Sequence, residues 1–227
     1  MKQLKIIKEF LLKYKHGVIL SYFFIYMTWF TYLERTITKK FHPVYCRLDD
    51  LIPFNEVFII PYILWFAYIF VTVVYFLFSS KQEFYKLCAN LFIGMTICLI
   101  IYTIWPNGHN LRVDIDSLGR DNIFLSILST IYNVDTSTNV FPSIHVFNSV
   151  AACIAIYKNE RLRKITWIRP MTFLLTVSIC LSTVFLKQHS VLDIFGALAL
   201  NLFMYAVVYI PNWSKSTQNA KQELSKI

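Results

Sequence analysis

The chain has 227 residues, of which 56% are hydrophobic and 17% aromatic, while only 15% carry charge. That balance excludes an ordinary soluble globule and fits a protein that spans a bilayer several times. The net charge of +9 would suit a nucleic-acid binder, but no basic stripe with interleaved stacking aromatics sits on a polar domain. Nucleic acid is therefore excluded as a partner, and the excess charge is assigned to loops that meet anionic lipid headgroups.

In chain order, a lysine-rich start (Lys2, Lys5, Lys8, Lys13 and Lys15) precedes a first apolar run at 18–33. The polar stretch that follows, 34–40, carries no small-residue cleavage pattern, so the run is read as a retained signal anchor. Further runs near the ~20 residues needed to cross a bilayer lie at 57–78, 87–105, 171–186 and 191–210. A shorter one, 142–157, is either completed by residues before Pro142 or starts below the membrane surface from a re-entrant loop. The expected fold class is all-α: a polytopic membrane helix bundle of about six transmembrane helices in one domain over 1–227. A polar tail, 211–227, follows the last span. Four of the five cysteines (Cys88, Cys98, Cys153, Cys180) fall in these runs and read as packing residues, with Cys46 outside them.

The longest connection, 106–141, contains an apolar patch at 123–132 that suits a short interfacial helix, and its length marks it as functional. The 158–169 connection is a short basic hairpin, read as a topology anchor. With six spans, fifteen Lys and Arg fall on one side and seven on the other. The richer side is expected to be cytoplasmic, which puts both termini there. A bacterial plasma membrane fits this pattern, and an organelle membrane fits it too.

Two stretches then meet on the non-cytoplasmic side: Phe141-Pro142-Ser143-Ile144-His145 and Lys187-Gln188-His189-Ser190-Val191-Leu192-Asp193. Titratable groups at the edge of hydrocarbon are costly unless paired or wetted, so they mark a functional site by default. Pro142 and Ser143 resemble a helix start, with Pro in the first turn and Ser as the cap. His189 and Asp193 are four apart, so on a helix they share one face. Asp193 then orients one imidazole nitrogen and leaves the other for a substrate.

This constellation suits phosphoryl transfer on a lipid phosphomonoester or pyrophosphate. His189 is the candidate nucleophile, forming a phosphohistidine, and His145 the candidate acid and base. Arg112 and Lys187 can supply positive charge, and Ser143 and the amides after Pro142 can supply donors to phosphate oxygens. Individually, Arg112 and Lys187 also read as snorkelling anchors. Asp114, Asp116, Asp135 and Asn139 read as loop-turn residues, with Asp135 or Asn139 able to position His145. His16, His42 and His109 read as interfacial or solvated.

Pro-Ser-x-His followed some forty residues later by His-x-x-x-Asp resembles the type 2 phosphatidic-acid phosphatase superfamily, whose catalytic core is related to vanadium haloperoxidases. The runs 139–143 and 182–189 look most like the branch grouped with inositolphosphotransferases of sphingolipid synthesis. The resemblance covers 102–210 and makes that stretch the expected catalytic core. It implies a six-helix membrane core, His189 as nucleophile, Asp193 as its partner, His145 as acid and base, and neither metal nor cofactor. The chain departs from the family at two cationic positions. Arg112 is followed by Val113 where the family has Pro, with Trp105 where the family has Lys, and Thr183 stands where it has Arg. Lys187 is the candidate to supply the missing charge.

Three rivals compete with this reading. One is a metal hydrolase with His145, His189 and Asp193 as ligands. Another is an intramembrane serine protease using Ser143 and His189, which lacks the glycine context of a nucleophile elbow. The third is a non-catalytic lipid-binding or transport protein, and six spans without broken, Gly-rich segments in matched halves argue against transport.

Overall fold

The structure is a computed structural model that describes residue 9 and residues 12–211. Of the expected tail at 211–227, residues 212–227 lie outside the described residues, as do three of the N-terminal lysines (Lys2, Lys5, Lys8). Seven helices carry the architecture: α1 (Tyr22–Thr36), α2 (Ile59–Ser79), α3 (Lys81–Ile104), α4 (Ile123–Val134), α5 (Ile144–Lys158), α6 (Ile168–Phe185) and α7 (Val191–Tyr209). α4 is the helix expected in the long connection, and the other six form the all-α bundle.

Four helical stretches are long and apolar enough to cross a membrane: Glu56–Ser79, Lys81–Ile104, Ile168–Phe185 and Val191–Tyr209. α1 and α5 have 15 residues each, about 22 Å at 1.5 Å per residue and short of a ~30 Å hydrocarbon core. α5 was expected to be short. The first apolar run was expected to be a full span, but its first part is a 3-10 turn, Lys15–Ser21, that leads into α1. The tighter coil of that turn extends the segment to about 35 Å in all.

Short polar residues begin the helices where the chain must turn. Ser80, Asn122, Ser143 and Ser190 each accept a backbone N–H of the first turn with the side chain, satisfying amides that have no partner inside the helix. α5 is the hub: it packs on α2, α3, α6 and α7, most extensively on α6. One glycine permits this closeness. A Cβ at Gly94 of α3 would stand 1.9 Å from the Phe147 ring of α5, so only glycine lets that buried aromatic lie flat against α3. α1 packs on α3 and has no comparable contact with α2, which leaves a cleft between α1 and α2. The outer faces carry large apolar side chains such as Phe70 (69% exposed) and Leu202 (72% exposed), as a lipid-facing surface requires.

The long connection is tied down at several points. His42–Pro43 pairs in parallel with Asn107–Gly108, and Gly108 bridges to Thr138. Glu34, near the end of α1, accepts from the Thr136 amide and hydroxyl and from the Asn139 side chain. The loop before α5 is thereby fastened to the end of the first helix.

Candidate active site

α6 ends at Phe185, and residues 186–190 form a turn before α7. His189 lies in that turn, one residue before the cap. The shared-face expectation for His189 and Asp193 is thus corrected: only Asp193 is helical, and the pair forms because Asp193 reaches back over the helix start. Its Oδ2 accepts from the Ser190 amide at 2.9 Å and bonds His189 Nδ1 at 3.0 Å. Ser190 in turn caps the helix, so a capping box builds the pair. With Asp193 ionised and His189 neutral, the bond puts the ring proton on Nδ1 and leaves the Nε2 lone pair free. Asp193 is fully buried and His189 is 7% exposed.

The turn is held from outside by Asp49, which sequence reasoning passed over. Asp49 is 2% exposed; its Oδ1 accepts from the Val191 amide at 2.8 Å and its Oδ2 from the Ser190 hydroxyl at 2.7 Å. Lys187, at φ 53°, points away from the histidines. Its Nζ donates to the Asp49 and Ile52 carbonyls, both at 2.6 Å. Burial lowers its pKa from the ordinary value, and Asp49 and Asp50 oppose that shift. Within α7's first turn the N–H groups of Ser190, Val191 and Leu192 are all taken by side chains.

His145 is the second residue of α5. Ser143 caps that helix through Val146, while its own amide donates to the Asp193 carbonyl at 3.2 Å. The two motifs are thereby stitched together, and Ser143 is fully buried. Pro142 lies just outside the helix rather than in its first turn, and its carbonyl accepts from the Tyr102 hydroxyl. Asn107 accepts from the Val140 and Phe141 amides and donates to the Phe141 carbonyl. The Phe141 ring rests where a Cβ on Gly196 would come within 2.6 Å of it. So fixed, the His145 ring faces His189 edge-on, with centroids 5.8 Å apart, and packs against Trp65 at 4.4 Å and Tyr62 at 4.8 Å. The Tyr62 hydroxyl donates to Asp135 at 3.0 Å, which makes Asp135 more than a loop residue.

Arg112 reaches the same region from behind. It donates to the carbonyls of Tyr132 and Asp135 at the end of α4 and to Gln188 Oε1 at 2.6 Å, and it lies over the Tyr132 ring. Burial lowers its pKa from the ordinary value, opposed by the Asp135 charge. Its Nε and the Gln188 Nε2 are buried without partners. His109, expected to be interfacial or solvated, is 1% exposed. It bonds the Gln188 carbonyl through Nε2 at 2.7 Å and accepts the Leu111 amide at Nδ1, so it is a neutral clasp whose pKa burial pushes down to about 4. His16 is likewise buried, at 6% exposure, and bonds the Leu77 carbonyl, whereas His42 is exposed.

His145, His189, Gln188 and Asp135 sit at one end of a cavity of about 1,150 Å³ that runs down between α1 and α2 and is walled almost wholly by apolar side chains. Ser143, Arg112, Lys187 and Asp193 are not among its lining residues. Among the described residues no three His, Cys, Asp or Glu side chains gather in a way that could hold a metal ion.

A model of the PAP2 superfamily matches residues 122–216. The PAP2-like segment begins at the α4 cap and takes in α5, α6 and α7, and with them Ser143, His145, Lys187, His189 and Asp193. It leaves out Glu34, Asp49, Tyr62, Trp65 and Arg112, all of which touch the site or its supports. Neither a curated protein nor a solved structure matches the chain.

Proposed function

We propose that the chain is an integral membrane enzyme that hydrolyses a lipid phosphomonoester or pyrophosphate through a phosphohistidine on His189. The observation that carries this is the position of two histidines, one of them backed by a buried carboxylate, at the end of an apolar cleft. Similarity to the PAP2 superfamily over 122–216 supports the reaction class. The lipid tail lies in the cleft and the phosphoryl group at its polar end. His189 Nε2 attacks phosphorus, the bond to the leaving oxygen breaks, and His145 protonates that oxygen. His145 then takes a proton from water, whose oxygen attacks phosphorus, breaks the P–N bond and releases phosphate. Asp193 holds the Nδ1 proton and stabilises the charge that develops on the ring.

Donors for the phosphate oxygens are the Gln188 side-chain Nε2 and the first backbone amides of α5, which have no acceptor inside the helix. Arg112 acts through Gln188, whose Oε1 it holds. Lys187 contributes charge at longer range from its seat on Asp49. The termini lie on the cytoplasmic side and the site opposite. A lipid hydroxyl in place of water turns the same apparatus into a phosphotransferase, and the size of the cavity favours keeping that reading.

Phosphate release from a panel of lipid phosphates and pyrophosphates, with and without EDTA, tests the proposal. EDTA-resistant release that disappears in His189→Ala is the expected result. Release that EDTA abolishes would mean metal hydrolysis instead.

A further inference from the structure

Just below the two histidines the cleft contains polar atoms that the proposed chemistry leaves unused. Asn148 lies three residues after His145 on α5, about one turn or 5 Å deeper. It is 3% exposed, lines the cavity, and its Oδ1 has no partner. Across from it on α2, Trp65 also lines the cavity, with its ring against His145 and its buried indole N–H unpartnered. One turn further down, by contrast, the Tyr68 hydroxyl is satisfied by the Ser149 carbonyl and Thr176. Buried polar atoms are nearly always bonded, and leaving one unbonded away from water costs free energy. Two such groups lining one cavity, one with its ring against His145 and the other a turn along α5 from it, call for a ligand that bonds them.

We propose that Trp65 and Asn148 form a subsite for the acyl carbonyl of the lipid backbone, so that the substrate is an ester- or amide-bearing lipid phosphate rather than a polyprenyl one. This deepens the phosphatase reading and rests on it. An indole only donates, so it selects an acceptor. A carboxamide presents its oxygen or, turned over, its nitrogen, so Asn148 takes either a second carbonyl or an amide N–H. In an acylated lipid phosphate the first carbonyl lies a few bonds from phosphorus, which matches one helical turn. A polyprenyl chain offers only hydrocarbon at that depth and would leave both groups unbonded.

The test uses the detergent-purified full chain and three probes: a diacylglycerol phosphate, its dialkyl ether twin of equal chain length, and a polyprenyl phosphate. In the wild type, kcat/KM for the ester is expected to exceed that for the ether by about three- to tenfold, the worth of one or two neutral hydrogen bonds, with the polyprenyl phosphate lower still. Trp65→Phe keeps an aromatic ring against His145 and removes the N–H. Asn148→Leu removes the carboxamide at similar size. Each is expected to bring the ester-to-ether ratio towards one, and because the ratio is taken within one variant, a general loss of folded protein cancels. A wild-type ratio of one, a ratio unchanged in both variants, or a preference for the polyprenyl phosphate overturns the subsite while leaving the phosphatase reading intact. If no lipid releases phosphate, the phosphatase reading is what fails. The subsite is then judged by thermal stabilisation with the ester and ether probes: stronger stabilisation by the ester upholds it, and equal stabilisation overturns it.

Discussion

His189 is held by a bond to Asp193 that exists because a helix begins between them. Asp193→Asn keeps the shape but favours the wrong tautomer, and lipid phosphate turnover should fall on the order of a thousandfold or more with the melting temperature little changed. Asp49 acts on the same turn from the opposite side. Asp49 Oδ1 accepts from the Val191 amide and Oδ2 from the Cys46 amide, so Asp49→Asn, with one oxygen left, sets its NH2 against one of these N–H groups and should cost about 1–3 kcal/mol of stability, read in a denaturation series. Buried His109 gives a signed pH dependence. Its pKa falls from 6.5 unfolded to about 4 folded, so between those values the unfolded chain binds more protons. Stability should therefore be full above about pH 6.5 and decline as the pH falls towards 4. His109→Gln should flatten that part of the profile in melts taken across the range. The motif residues were legible in sequence because each interrupts an apolar run. Asp49 was not, since its partner Ser190 is 141 positions away and an acidic residue in a loop looks like any solvated one.

At the scale of elements, the helix starts were the readable part: Ser143 caps α5 as its place after Pro142 implies, and α4 forms where an apolar patch interrupts a polar loop. The spacing of His189 and Asp193 implies a shared helix face, yet the helix starts between them, because i, i+4 spacing fits both a helix face and a capping box. Those two geometries place His189 differently, and only the second puts its ring at the mouth of the cleft. The position of Phe141 depends on α7 having no side chain at Gly196. Gly196→Ala should push the Phe141 ring aside and destabilise the fold by about 1–3 kcal/mol, with turnover falling as the His145 loop shifts. Nothing in the local sequence marks that glycine, because the ring it accommodates comes from a distant loop.

For the whole molecule, hydropathy implied the all-α membrane bundle, since backbone groups in hydrocarbon must be bonded within each segment, and four of its helical stretches have spanning length. It did not give the cleft. That feature arises because α1 leans on α3 and leaves α2 free on one side, a packing choice with no signature in residue order. A larger side chain within the cleft should obstruct a lipid tail: Ile69→Trp is expected to raise KM for a long-chain lipid phosphate at least about tenfold, measured by phosphate release against substrate concentration. The central claim is covalent catalysis by His189, and rapid quenching of the enzyme with a lipid labelled in its phosphoryl group tests it most directly. An acid-labile, alkali-stable label on the peptide that contains His189, absent in His189→Ala, is the predicted result. Turnover without any protein-bound label under single-turnover conditions, or a label that persists in the variant, would contradict it.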